Sequence, residues 1–237
     1  MTNLKQEKRY QHLLFDLDHT LWDFEKNSEL TLKEIYSTFD LGTKSEFEEY
    51  DFILKFREVN KKLWNQYNKG RIDSASLRRT RFRLILEKKS WMNFSRINEI
   101  GEFYMSQCPV KSCLIEGSLE VLDYLSPNYG LHIITNGFED TQTKKLESSG
   151  LSKYFKTVTT SQNARSKKPH SKIFDYAIQL AQASKDESIV IGDNFLTDIE
   201  GAKKAQIDQV FFNPDNFKGH FDPTYTISNL TELKRIL

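Results

Sequence analysis

The sequence predicts an α/β protein: a doubly wound, mostly parallel, Rossmann-like sheet interrupted after its first strand by an inserted all-helical cap domain. Three observations predict it. A short apolar run, His12 to Phe15, ends abruptly in Asp16-Leu17-Asp18. From about residue 24 to about residue 107 every apolar pattern has a helical period. From residue 117 onward helix-like and strand-like stretches alternate, which is the pattern of βαβ units and a parallel sheet.

The first run is too short for a helix and is apolar enough to be buried on both faces, as a central parallel strand is. Leu32, Ile35, Tyr36 and Phe39 then make one helical stripe that Gly42 stops. Ser45 with Glu48 has the spacing of a capping box and opens a long helix through Phe56, Leu63 and Trp64 to Gly70. Asp73 or Ser74 opens a third helix, and Ser95 caps a fourth that carries Ile97, Ile100 and Tyr104. Beyond it, Leu119, Leu122 and Leu125 mark a helix ended by Pro127, LHIIT at 131–135 is a buried strand, and a polar helix runs to Gly150. TVTTS is the next strand; Ile173, Phe174, Ala177, Ile178 and Ala181 share a helix face. SIVIGD at 188–193 is a strand, residues 197–205 are helical, and QVFFN with a weaker YTI completes the sheet. The first strand has no crossover helix of its own. The helical block therefore reads as an insertion, residues 22–108, in a core made of residues 1–21 and 109–237.

Composition narrows the function classes. Lys and Arg total 34 against 33 for Asp and Glu, so no overall field favours a nucleic-acid polymer or a membrane surface. The opening residues MTNLKQEKRYQ lack the apolar centre of a signal peptide, and no run approaches the roughly 18 apolar residues of a membrane span, so a cytoplasmic location is expected. Cys108 and Cys113 fit neither a redox pair nor a zinc knuckle and read as free thiols.

The chemistry-bearing residues gather at predicted strand and helix ends. Asp16 and Asp18 leave the same side of the first strand, and two neighbouring carboxylates need a shared proton or a cation such as Mg2+. Thr135, Asn136 and Gly137 follow LHIIT with a hydroxyl, an amide and a flexible backbone, all able to donate to phosphoryl oxygens. Lys168 precedes Pro169 at a helix entrance, with Lys167 beside it as a second candidate cation. Asp193 ends a buried strand, and Asp198 falls five residues on near a first helical turn, where a carboxylate also suits the helix dipole.

In order these elements read D-x-D-x-T, T-N-G, K-P and G-D-x-x-x-x-D. The set resembles the haloacid dehalogenase superfamily over residues 12–22 and about 110–237, and the insertion resembles its C1 type of helical cap. The resemblance implies that Asp16 is a nucleophile that becomes an aspartyl phosphate. It makes Asp18 the acid for the leaving oxygen and then the base for water. It assigns Mg2+ to the Asp16 carboxylate, the Asp18 carbonyl and Asp193, and the phosphoryl group to Thr135, Asn136 and Lys168. Asp198 is left to orient Lys168 or a metal-bound water. Members that remove halide lack an acid two residues after the nucleophile and use no metal; Asp18 and Asp193 are both present here, so the implied reaction is hydrolysis of a small-molecule phosphomonoester.

DLDHTLWDFEKNS and the G-R-I-x-x-x-x-L-R-x-x-R-F pattern at 70–82 further resemble the pyrimidine 5'-nucleotidase branch, which implies (deoxy)pyrimidine nucleoside monophosphates as substrates. Cap aromatics could stack a base, and an arginine of the third helix could reach a base carbonyl. A general phosphatase for sugar phosphates or phosphoglycolate, and a phosphoglucomutase-like phosphotransferase, use the same site residues. A phosphoaspartate receiver needs about half this chain and has no use for a cap, and a silent binding module has no use for an intact Asp16, Asp18, Lys168 and Asp193. Arg78, Arg79, Arg81 and Arg83 scatter around their helix and read as a solvated, ion-paired surface. Phe47, Tyr50, Phe56, Trp64 and Tyr67 read mainly as cap core, and His12, His132, His170 and His220 have no ligand spacing.

Overall fold

The computed structural model describes residues 9–44, 48–87 and 92–237. Two compact units make up the chain. A sheet unit comprises the described residues of Met1–Asp23, Leu114–Glu139 and Ser149–Leu237; a helical unit comprises those of Phe24–Cys113 with Asp140–Ser148.

The sheet unit is built on six strands: β1 (His12–Phe15), β2 (Gly130–Thr135), β3 (Thr157–Thr160), β4 (Ser188–Gly192), β5 (Asp208–Phe212) and β6 (Tyr225–Ile227). Every pairing is parallel, in the order β3-β2-β1-β4-β5-β6. The chain winds outward from β1 through β2 to β3, then crosses back and winds the other way from β4. The switch point therefore lies between β1 and β4, and in open α/β sheets ligands sit outside the carboxyl ends of the strands at that point. β2 and β4 are buried along their whole length, which is why both read as unbroken apolar runs rather than as alternating patterns. One face of the sheet is covered by the helices Ser171–Leu180 and Glu200–Lys204. Ile173, Phe174 and Ala177 pack there with Leu14, Ile134 and Val190 of three neighbouring strands. Gly201 makes this packing possible, since a Cβ there would run into the Phe174 ring and the Pro169 backbone.

The helical unit holds α1 (Phe24–Thr38), the single turn α2 (Leu41–Lys44), α3 (Glu49–Asn68), α4 (Ser74–Leu86) and α5 (Phe94–Gln107). Its centre is an aromatic triad from three helices. Phe56, Phe82 and Tyr104 have ring centroids 4.9 to 5.5 Å apart, and truncating one such buried ring to alanine typically costs about 3–5 kcal/mol. Among the described residues no helix is long and apolar enough to cross a membrane. Neither Cys108 nor Cys113 is in a disulfide.

Several local expectations shift. Ser45 and Phe47 lie outside the described residues; Glu48 is the N-cap of α3, with no side-chain capping bond. Asp73 caps α4 by accepting from Ser76 N–H at 2.7 Å. Asn93, not Ser95, caps α5, accepting from Arg96 N–H at 2.9 Å, because asparagine satisfies the orphan donors two residues earlier than the serine could. In α6 (Ser118–Leu125) Val121 is buried while Leu119 is exposed. Tyr50 is also exposed, whereas Phe56 and Tyr67 are core.

Candidate active site

The ladder between β1 and β4 runs one residue past β1, because Asp16 N–H donates to the Ile191 carbonyl at 2.8 Å. Asp16 is thereby fixed beside the end of β4. The chain then turns tightly. Leu21 and Trp22 N–H groups both donate to the Leu17 carbonyl at 2.9 Å, and His19 takes a left-handed conformation, φ 64°, which few non-glycine residues adopt. Buried Trp22 bridges to Leu114, and Ser118 Oγ donates to the Leu21 carbonyl at 3.1 Å, so the turn is pinned from the far side.

Lys168 is buried, and its ammonium has a complete set of acceptors. Nζ stands 2.7 Å from Asp16 Oδ1, 2.7 Å from Asp198 Oδ1 and 2.9 Å from the Ile134 carbonyl, which engages all three of its N–H donors. Burial disfavours its charge, but Asp16 and Asp198 outweigh that and hold its pKa above the usual lysine range. Lys167, next to it, is half-exposed, so Lys168 is the lysine that enters the cluster. Asn136 sets its position: Nδ2 donates to the Lys168 carbonyl at 3.0 Å and Oδ1 accepts from the Lys168 N–H at 2.8 Å. Thr135 is buried at the end of β2, where its Oγ1 accepts from Gly137 N–H at 3.0 Å and keeps a proton to donate.

Beyond β4 lie Asp193 and Asp198. Asn194 heads the following π-helical turn (Phe195–Ile199), its side chain accepting from Leu196 and Thr197 N–H at 3.1 Å. This frees Asp198 from capping. It is wholly buried, accepts from Asn194 N–H at 3.1 Å, and turns its other oxygen to Lys168. The carboxyl group lies so close to Gly192 that any side chain at that position would overlap it.

The structure thus brings Asp16, Asp193 and Asp198 together, with one carboxylate oxygen from each within 4.8 Å of the others. Asp18, half-buried, keeps its carboxylate outside that set of three. Two of these carboxyl groups, Asp16 and Asp198, contact the Lys168 ammonium, and Asp193 lies beside them. Burial pushes Asp16 up to about 8, with Lys168 opposing it and the charges of Asp198 and Asp193 adding to it; burial and the charge of Asp198 push Asp193 up to about 7. Carboxyl groups held this far from their ordinary range lack positive charge, and a donor set made only of hard oxygens suits Mg2+ rather than a softer metal. The residues present fit that ion.

Thr20 has a part that spacing alone did not assign. Wholly buried, its hydroxyl donates to Asp193 Oδ1 at 3.0 Å and accepts from Asp193 N–H at 3.1 Å, so it orients the carboxylate. The Asn136 bond pair, the Asn194 cap and the close approach at Gly192 were likewise unassigned. Only Gly192, standing directly before Asp193, left a sequence signal. The basic stretch of α4 meets the expectation of a solvated, ion-paired surface except at one residue. Arg79 and Arg83 are exposed and Arg78 pairs with Asp140 through two bonds of 3.0 and 2.6 Å, but Arg81 is buried.

The haloacid dehalogenase-like hydrolase family matches residues 13–212. The crystal structure of YfnB from Bacillus subtilis, bound to magnesium, superposes with a TM-score of 0.86 at 29% identity, covering 97% of this chain and 99% of that one. Pyrimidine 5'-nucleotidase PynA of Streptococcus pneumoniae is 31% identical over 94% of this chain and 93% of its own. Pyrimidine 5'-nucleotidase YjjG of Escherichia coli is 28% identical over 97% and 98%. With its parallel sheet, its acidic cluster at the switch point and this match along most of its length, the chain belongs to the haloacid dehalogenase-like hydrolases, in their phosphatase form.

Proposed function

We propose that this chain is a Mg2+-dependent phosphomonoester hydrolase that works through an aspartyl phosphate on Asp16 and acts as a 5'-nucleotidase on pyrimidine nucleoside monophosphates. The observation that carries the chemistry is the Lys168 ammonium, 2.7 Å from both Asp16 and Asp198, beside Asp193 at the switch point.

In this reading Asp16 attacks phosphorus, a P–O bond forms to its carboxylate, and the bond to the leaving oxygen breaks as Asp18 supplies that oxygen with a proton. Asp18 then takes a proton from water, whose oxygen displaces Asp16 and yields inorganic phosphate. Thr135, Asn136 and Lys168 hold the phosphoryl group, Lys168 chiefly through its charge, since its three donors already have acceptors. Mg2+, held by the Asp16 carboxylate, the Asp18 carbonyl and Asp193, would neutralise charge on the phosphoryl oxygens. Asp18 argues against halide removal, which has no leaving oxygen to protonate.

Similarity to PynA and YjjG over nearly the full chain supports the substrate class, as do the DLDHTLWDFEKNS run and the pattern at 70–82. A panel of phosphomonoesters assayed with Mg2+ tests it. Expected is a kcat/KM for dUMP and dTMP at least about tenfold above that for hexose phosphates and phosphoglycolate, roughly 1.4 kcal/mol of discrimination. Equal preference would leave a general phosphatase, and isomerised sugar phosphate in place of released phosphate would make it a mutase. Asp16→Asn should abolish turnover with the fold intact, and chelation should do the same; turnover surviving either change would remove the covalent or the metal step.

A further inference from the structure

The turn that follows β4 is wound wider than an α-helix. The Asn194 carbonyl accepts from Asp198 N–H at 2.9 Å and from Ile199 N–H at 3.4 Å, and Glu200 N–H reaches back five residues to the Phe195 carbonyl. π-helical turns of this kind are rare and gather at functional sites. The extra residue has a definite effect on Asp198. In an ordinary capping box the side chain three residues after the cap reaches back to the cap's own N–H. That residue is Thr197, which has no carboxylate. In the wider turn Asp198, one residue further on, makes the bond instead, with Oδ2 3.1 Å from Asn194 N. Its Oδ1 is left to accept from the Thr197 hydroxyl at 3.2 Å and to stand 2.7 Å from Lys168 Nζ.

Asn194 holds the turn in this form. Its Oδ1 accepts from Leu196 and Thr197 N–H, both at 3.1 Å, so the side chain, N–H and carbonyl of this one residue are all tied to residues 196–199. Without the side-chain bonds the turn is free to tighten, which would carry Asp198 away from Lys168. The consequence reaches Asp16. Lys168 is shared between Asp16 and Asp198 at 2.7 Å each, and its third donor goes to the Ile134 carbonyl. Were Asp198 to move off, the buried ammonium would lose one of two counter-charges and lean on Asp16 alone. An ion pair made only with the nucleophile is strongest before attack and weakens as the carboxylate charge is spent on phosphorus, so it slows the chemical step.

We propose that Asn194 is a positioning residue for the reaction: it caps the π-helical turn so that Asp198 faces Lys168, and by that route it keeps the ammonium shared between Asp198 and the nucleophile. In this role it touches neither substrate nor metal. The inference rests on the reading of Asp16 as the nucleophile and names the residue that sets the charge beside it.

The test compares wild type with Asn194→Ala and Asn194→Ser, and Asp198→Asn with the double variant Asn194→Ala/Asp198→Asn, on p-nitrophenyl phosphate, a phosphomonoester that carries no base. A serine hydroxyl accepts the same N–H groups at a helix start, whereas an alanine methyl accepts none. Asn194→Ala should lower kcat at least about tenfold, with KM and the Mg2+ concentration for half-maximal activity within about twofold of wild type, because Thr135 and Asp193 keep their own partners in Gly137 and Thr20. Asn194→Ser should return kcat to within about threefold of wild type. A cap with no part in catalysis would lower the melting temperature of Asn194→Ala and leave its kcat, measured below the transition, unchanged; that result overturns the proposal. Failure of serine to restore what alanine loses overturns it too, as does a raised Mg2+ requirement at unchanged kcat, which would place the effect on Asp193. The Asp198→Asn background gives the route: adding Asn194→Ala there should change kcat by less than about twofold, and a further tenfold loss would mean that Asn194 acts independently of Asp198. Turnover surviving Asp16→Asn would remove the nucleophile reading itself. An inactive Asp16→Asn beside an Asn194→Ala of wild-type kcat would remove only this inference.

Discussion

Asn136 holds Lys168 by both ends of its peptide unit, accepting from the N–H at 2.8 Å and donating to the carbonyl at 3.0 Å. Both residues are buried, so neither bond has water as a substitute. Asn136→Asp keeps the acceptor but sets a carboxylate oxygen against the Lys168 carbonyl. It should cost about 2–3 kcal/mol in urea unfolding and lower kcat at least about tenfold, because the lysine beside Asp16 loses its fixed position. An unchanged kcat would show that the ion pairs alone place Lys168.

Thr20 and Asp193 exchange two hydrogen bonds at 3.0 and 3.1 Å. Thr20→Val keeps the shape and removes both. Groups that orient a metal-binding carboxylate typically contribute 10- to 100-fold in affinity, so the Mg2+ concentration for half-maximal activity should rise by about that factor. Activity at saturating Mg2+ should fall much less. A titration curve that overlays wild type would remove Thr20 from metal binding.

How far the sequence reached depends on what each residue answers to. Asp16, Asp193 and Lys168 were legible because strand ends and a helix entrance are local features, and the β1/β4 switch point follows from the alternation of elements. Thr20 and Asn136 were named within motifs, but their bonds join residues 173 and 32 positions apart, which no local spacing encodes. Arg81 was misread for the same reason. Four arginines in six residues leave α4 without a clean polar face, and only its packing against Phe56 and Tyr104 decides which one is buried. The cap of α5 went to Asn93 and not Ser95 because two competent capping residues stood two positions apart, and propensity alone did not choose between them.

At the other end of the sheet unit, His132 lies buried with Nε2 3.1 Å from His12 Nδ1 and Nδ1 2.8 Å from Thr157 Oγ1. Burial first, then His12 and Lys156, lower its pKa to about 4 from the ordinary 6.5. The unfolded chain takes up this proton below pH 6.5 and the folded one does so only near pH 4. The stability due to neutral His132 is therefore complete above pH 6.5 and is lost as pH falls toward 4, on the order of 2–3 kcal/mol. Urea unfolding at stepped pH should show that loss in wild type, and His132→Gln should reduce it. Parallel curves for the two proteins would mean that other groups carry the acid sensitivity.

The carboxyl cluster has the opposite sign, and this couples metal to pH. Without a cation, Asp16 and Asp193 keep their protons up to about pH 8 and 7 in the folded state, whereas an unfolded aspartate loses its proton near 3.8. Their contribution to stability is present below pH 3.8 and is lost as pH rises through 7 and 8. A divalent ion bound by these groups must displace the protons, so Mg2+ affinity should rise by up to about tenfold per pH unit for each proton displaced. The rise should flatten once both groups are ionised. Thermal melting with and without a fixed millimolar Mg2+ concentration should then show a small stabilisation at pH 6 and a much larger one at pH 8.5. Asp193→Asn should weaken the effect at both, because a neutral amide gives up the charge that holds the ion. Equal stabilisation of wild type at the two pH values would mean that the carboxylates are already ionised at pH 6, with Lys168 alone supplying the charge they need.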